Sequence, residues 1–340
     1  MSELIKINLT ETLTVLGEEL LNPSEEFLQI ISQEKQYNAW FTPENVLQAV
    51  QAIGKMLNKN DLEKWLPDHT DTVFTGKKVG LVLAGNIPVV GFHDVLCVLV
   101  SGHFAMIKAS ANDSRLITYI LKRLVALEPE FANRYEFTER LANFDAVMAT
   151  GSNNTSRYFE YYFGKVPNII RKNRNSLALL SGDESEDQLQ KLGHDIFDYF
   201  GLGCRSVSKL LVPEGYDFGK LFRAIESFQP IINHHKYNNN YDYNKSVYLV
   251  NQAKHLDNGF LLLKQDEKIA SPLAVLFYDF FTDLDDANQK LNAQKEAIQC
   301  VVSNLEINAD VSIVGFGASQ QPKLWDYADG VNTMDFLKAI

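Results

Sequence analysis

Cysteine is scarce in this chain. Its three residues, Cys97, Cys204 and Cys300, are widely separated and odd in number. That excludes a disulfide framework and a CxxC metal site, so any chemistry at cysteine belongs to a free thiol. Positive charge is also in deficit: Lys and Arg total 32 against 43 Asp and Glu, a formal net charge of -11. Such a balance repels a phosphate backbone unless basic residues cluster, and they do so only at Arg171, Lys172 and Arg174, so no nucleic-acid partner is expected. Long apolar runs are missing as well. The most apolar stretch, Val95–Val100, is far too short to span a bilayer, and Met1–Leu9 has no cationic start leading into a long apolar segment. A soluble cytoplasmic protein with no membrane span is expected. Histidines are few, and the adjacent pair His234 and His235 faces apart rather than converging on a metal.

What the chain does have is apolar mass. Its 340 residues, 46% of them apolar, exceed the roughly 250 to 300 at which a single core stops growing, so two lobes are expected. Residues 1–72 carry apolar residues at helical spacing and no visible chemistry. Residues 73–183 alternate between short apolar runs and helical patterns. Strands are read at Val79–Leu83, Phe104–Ile107, Ala146–Ala149, Pro167–Ile170 and Leu177–Leu180, with helices over Val89–Val100, Ser114–Leu127 and Asn153–Phe163. This order predicts a doubly wound parallel sheet, with a nucleotide site at the carboxyl ends of its strands.

Residues 184–313 read as a second α/β lobe. A helix over Leu189–Phe200 leads to a Gly-rich turn holding Cys204, a strand at Lys209–Val212 and a helix over Phe218–Phe228. The polar, aromatic stretch Asn233–Asn244 shows no periodicity and reads as a surface loop. Strands follow at Leu261–Leu263, Leu273–Phe277, Ile298–Val302 and Val311–Val314, with a helix at Leu284–Gln294. A last stretch, about 314–340, returns to the first lobe.

Three strand ends carry candidate chemistry. Asn86, in Gly85-Asn86-Ile87-Pro88, sits where the first strand gives way to a helix, and its plain reading is a helix cap. Lys108, in Lys108-Ala109-Ser110, puts a cation at a strand tip that is otherwise an ordinary solvated end. Thr150-Gly151-Ser152 closes a third strand with groups able to expose N–H donors to a phosphate. Cys204, in Gly201-Leu202-Gly203-Cys204, has glycines that let the backbone turn sharply toward a ligand, whereas Cys97 and Cys300 are enclosed by apolar neighbours and read as core.

Together these motifs, in this order, resemble the aldehyde dehydrogenase superfamily and, within it, the LuxC-type acyl-CoA reductases. Asn86-Ile87-Pro88 is similar to the family's Asn-Phe-Pro, and Lys108-Ala109-Ser110 to its Lys-Pro-Ser. Thr150-Gly151-Ser152 resembles its Thr-Gly-Ser, and Gly203-Cys204 falls where its nucleophile lies. The resemblance implies an aldehyde-dehydrogenase-like fold and an NADPH-dependent reduction of an acyl-CoA to an aldehyde. Cys204 is implied as nucleophile, Asn86 as oxyanion donor, and Lys108, Ser110, Thr150, Gly151 and Ser152 as cofactor contacts. It is compatible with a homodimer. NADPH rather than NADH follows from Lys108 with Ala111, where the family usually has a carboxylate. Where hydrolytic relatives place Glu-Leu-Gly-Gly, Ile170–Ser176 holds no acid, so hydrolysis of the acyl-enzyme is not expected. Two other readings stay open: a semialdehyde or acyl-phosphate reductase using the same residues, and a catalytically inactive nucleotide-binding relative.

Overall fold

The computed structural model describes residues 8–66, 76–151 and 153–340. The chain forms two compact units, Met1–Asn173 with Pro322–Ile340, and Arg174–Gln321.

The first unit opens with four helices, α1 (Leu9–Leu21), α2 (Glu25–Gln33), α3 (Pro43–Met56) and α4 (Lys59–Trp65). Each starts at a side chain able to accept from an otherwise unpaired helical N–H: Asn8, Ser24, Thr42 and Asn58. Leu13, Leu16 and Leu20 of α1 and Val46, Val50 and Ile53 of α3 form their buried faces. Gly17 and Gly54 let these helices touch, since a Cβ on Gly54 would lie 2.7 Å from the Gly17 carbonyl.

A five-stranded parallel sheet follows, ordered β3-β2-β1-β4-β5. Its strands are β1 (Lys78–Val82), β2 (Phe104–Lys108), β3 (Tyr135–Phe137), β4 (Ala146–Thr150) and β5 (Asn168–Arg171), with helices α5 (Phe92–Val100), α6 (Ser114–Leu127) and α7 (Asn153–Phe163) between them. β3 was not expected from the sequence. The helix expected from Val89 starts later, after a turn in which Val89 itself holds a left-handed φ of 53°. Asn86 therefore caps no helix; Gly91 occupies that position.

The stretch after residue 321 completes this unit. Its short helix, Thr333–Lys338, buries Met334 and Leu337, and Leu324 is buried ahead of it. Ring nitrogens of His93 and His103 bond the carbonyls of Leu324 and Leu337, each at 2.9 Å.

In the second unit seven strands are ordered β12-β11-β6-β7-β10-β9-β8. They are β6 (Asn175–Leu179), β7 (Val207–Pro213), β8 (Leu256–Asp257), β9 (Leu262–Gln265), β10 (Val275–Phe281), β11 (Ile298–Val302) and β12 (Ile313–Val314). All pairings are parallel except β8 with β9. The apolar run at Leu177–Leu180, read as continuing the first sheet, supplies a strand of this one. A run buried on both faces has no pattern that names its sheet. Helices α8 (Glu186–Phe197), α9 (Phe218–Ala224), α10 (His235–Val250) and α11 (Leu284–Ala293) cover it, α8 beginning at a Ser185–Gln188 capping box.

The stretch Asn233–Asn244 is not a loop: most of it is the first half of α10. Tyr237, Tyr241, Asn244 and Tyr248 are its buried face, at helical spacing, and the Tyr237 hydroxyl donates to the Phe260 carbonyl at 3.0 Å. The periodicity was hidden because tyrosine and asparagine carry it rather than aliphatic side chains.

Candidate active site

The carboxyl edge of the five-stranded sheet gathers five of the predicted residues. Just past the end of β1 comes Gly85, where an added Cβ would stand 2.2 Å from Ser110 Oγ. Only glycine lets these two loops meet so closely. Asn86, next in the chain, is exposed. Lys108 ends β2 and is exposed, its ammonium donating to the Glu139 carbonyl at 2.8 Å. Half-buried Ser110 accepts from the Asn112 backbone N–H through its hydroxyl, at 3.3 Å. Thr150 ends β4 and pairs with Arg171 of β5. Gly151 follows, tight enough that a Cβ would come within 2.8 Å of Phe159. Ser152 lies outside the described residues.

The fit to a dinucleotide can be judged from this edge. Strand order reverses between β1 and β4, the place where open α/β sheets receive nucleotides. Two crowded glycines allow close backbone approach, and Lys108 offers a cation. The nearest carboxylate to Ser110 in sequence, Asp113, is turned away. It is buried, with Oδ2 accepting from the Val89 N–H at 2.7 Å. Burial pushes its carboxyl well above the ordinary value of 3.8, against the pull of that hydrogen bond, and the neighbouring Glu34 carboxyl adds to the rise. The edge fits a nicotinamide dinucleotide.

Cys204 belongs to the second unit. Beyond α8 the chain passes through Tyr199, Phe200 and Gly201 at φ of 54°, 59° and 74°, three successive left-handed residues. Tyrosine and phenylalanine adopt that region only when their surroundings impose it, and both rings are buried. The turn then fixes the backbone around Cys204 while leaving the residue exposed. Gly203 N–H donates to Ser206 Oγ and Gln320 Nε2 donates to the same oxygen, each at 3.2 Å. Ser176 Oγ donates to the Cys204 carbonyl at 3.0 Å. Cys97 and Cys300 are both fully buried. Burial pushes the Cys97 thiol well above its usual range. His194, the histidine nearest to Cys204 in sequence, is committed to Asp198 at 3.1 Å, and that hydrogen bond raises its pKa.

The basic run Arg171, Lys172, Arg174 is divided among different partners, with Lys172 the exposed member. Arg171 is buried, paired with Asp94 and donating to Thr333 Oγ1 at 3.2 Å. Lys172 pairs with Glu160, and Arg174 donates to the Ile298 carbonyl. The sequence reading missed Asp113, Ser176 and Ser206. Each is a polar residue inside or beside an element, and only its partner reveals its use. Among the described residues, no cluster of three or more His, Cys, Asp or Glu could hold a metal, and no helix is long and apolar enough to cross a membrane.

The sequence pattern of the acyl-CoA reductase family (LuxC) matches residues 16–218, which take in every candidate above. The chain belongs to the LuxC acyl-CoA reductase family. That makes it an NAD(P)-dependent oxidoreductase acting on aldehydes or acyl-CoA. Solved structures agree in fold. An NAD-dependent aldehyde dehydrogenase from Sinorhizobium meliloti is 15% identical with a TM-score of 0.63, over 89% of this chain and 73% of that one. Aldehyde dehydrogenase 21 from Physcomitrella patens, in complex with the product succinate, is 10% identical with a TM-score of 0.68, over 96% and 84%. An acetylating aldehyde dehydrogenase from Geobacillus thermoglucosidasius is 9% identical with a TM-score of 0.60, over 93% and 85%. No curated protein matches the chain. Like these structures, this LuxC family member is a mixed α/β protein, here with a helical N-terminal region.

Proposed function

We propose that this reductase converts an acyl-CoA, most simply a fatty acyl-CoA, to an aldehyde with NADPH, through a thioester on Cys204. The observation that carries the reading is the contrast among the cysteines: Cys204 is exposed on a backbone fixed by buried hydroxyls, whereas Cys97 and Cys300 are buried. The Cys204 thiolate attacks the thioester carbonyl. The new C–S bond forms, the old one breaks, and CoA leaves as its thiolate. The Asn86 side-chain amide and the Cys204 backbone N–H donate to the oxygen as it becomes negative, and losing one such donor typically costs about 3 to 4 kcal/mol of barrier.

Lys108 and Ser110 would hold the cofactor ribose and its phosphate, and Thr150, Gly151 and Ser152 the pyrophosphate. When bound, the nicotinamide supplies the hydride that reduces the acyl group. The absence of an acid in Ile170–Ser176 leaves no base there to activate water. A reducing cytoplasm suits three cysteines none of which forms a disulfide.

The test begins with the purified protein and acyl-CoAs of several chain lengths, without cofactor, followed by intact mass. A stable adduct on Cys204 is expected. After free acyl-CoA is removed, the adduct should decay slowly alone and convert rapidly to aldehyde when NADPH is added. Rapid release of free fatty acid without cofactor would replace the reductase reading with a hydrolytic one. Adduct formation from acyl phosphates only would move the donor class.

A further inference from the structure

Ser176 is fully buried in β6, between β11 and β7. Its hydroxyl oxygen lies 3.0 Å from the Cys204 carbonyl and 3.1 Å from Cys300 Sγ. A hydroxyl has one proton, and a carbonyl oxygen can only accept. The proton is therefore committed to Cys204, and a serine lone pair faces the sulfur. The remaining contact is satisfied only if the thiol of Cys300 is the donor.

The sheet is built around this contact. β6 loses register with β7 between Ser176 and Leu177, and with β11 between Ile298 and Val301, the stretch that contains Cys300. Both ladders thus break at the same place. Irregularities of this kind re-aim side chains and cluster beside active sites. A regular strand would have kept Ser176 in its ladder position, with an apolar residue sufficient in the core.

We infer that Cys300 and Ser176 are positioning residues that form a two-step hydrogen-bond relay, Cys300 S–H to Ser176 Oγ and Ser176 O–H to the Cys204 carbonyl, which fixes the backbone of the nucleophile. The inference rests on the assignment of Cys204 as nucleophile made above. Ser206 holds Gly203, ahead of Cys204, by accepting its N–H through Oγ and donating its own backbone N–H to the Gly203 carbonyl at 3.1 Å, and the relay holds the Cys204 carbonyl on the other side. The side chain itself has no part in either anchor, so the residue can be exposed and still oriented. Burial gives the relay its strength: a serine enclosed in the core has no water to replace a lost partner. Cys300 thus has a polar duty that its apolar neighbours in the sequence conceal.

The relay is read from the rate at which iodoacetamide alkylates Cys204 as a function of pH, located by peptide mass, in the full chain. Cys300→Ala should slow alkylation about tenfold or move the midpoint of its pH profile, because the unpaired Ser176 hydroxyl becomes free to turn away. Cys300→Ser, which restores an O–H donor, should return to within about threefold of the parent. Ser176→Ala should behave like Cys300→Ala. Equal behaviour of Cys300→Ser and Cys300→Ala would overturn the relay, since a role in packing alone does not distinguish a donor from a methyl group. So would a parent-like profile in Ser176→Ala. Circular dichroism confirms that each variant is folded, and Ser176→Ala keeps the test open should a Cys300 variant fail to fold. Acylation of the unsubstituted protein by acyl-CoA is measured beside it. Its absence would refute the nucleophile assignment without touching the alkylation result.

Discussion

The carboxylate of Asp113 accepts a hydrogen bond from the backbone N–H of Val89 at 2.7 Å, tying the loop after β2 to the turn that carries Asn86. Its other oxygen is buried without a hydrogen-bond partner. A carboxyl whose pKa rises on folding holds its proton to higher pH in the folded state than in the unfolded one. Its contribution to stability is thus full below its unfolded value and lost as pH rises through the folded value. Glu34, which faces it and is paired with Arg115, is also raised, chiefly by burial. Asp113→Asn keeps an acceptor for Val89 and removes the titration. Thermal unfolding should show the variant gaining on the parent as pH is raised from 4 toward 8, whereas Asp113→Ala should lose about 1 to 2 kcal/mol throughout.

Cofactor choice is tested at Ala111, which is exposed one residue beyond Ser110. Ala111→Glu places an acid where a 2'-phosphate would sit. The ratio of kcat/KM values for NADPH and NADH should move toward NADH about tenfold, some 1.4 kcal/mol. An unchanged ratio would mean that the ribose is held by other residues.

Of the buried thiols, Cys97 is the inert control. Its sulfur lies 3.9 Å from the His93 ring in a fully enclosed site. Cys97→Ala should lose about 1 to 2 kcal/mol in a urea titration while single-turnover reduction proceeds at the parent rate. Cys204→Ala should show the opposite: parent stability, and no acyl adduct.

Arg171 and Asp94 form a buried ion pair whose side chains keep 6% and 13% of their exposure. Arg171→Met leaves Asp94 uncompensated and should cost about 3 to 5 kcal/mol, while the double variant Arg171→Met, Asp94→Leu should recover most of it. Equal losses in the single and double variants would show that the Thr333 contact, not the charge, is what matters.

The strand-and-helix order was legible because apolar runs and helical spacing record burial directly. Ser114–Leu127 and Asn153–Phe163 are helices with the boundaries that the spacing predicts. Three things were not legible. The sheet to which Leu177 belongs depends on long-range pairing. The helix His235–Val250 buries tyrosines, so its polarity masked its face. The duties of Asp113 and Ser176 depend on partners distant in sequence, Val89 for the first and Cys204 with Cys300 for the second. Motif residues announce themselves by their spacing, but the residues that hold them in place do not.

The first unit is discontinuous, with the whole of Arg174–Gln321 inserted before Pro322. On the ribosome this imposes an order of events. The five strands of the first sheet emerge early, yet the bonds of His93, His103 and Arg171 to Leu324, Leu337 and Thr333 form only after the insert has been made. The second unit, begun later, has all of its strands first. The first unit is therefore finished last, by the short stretch that follows the insert, and a chain stopped within the insert would lack those three contacts.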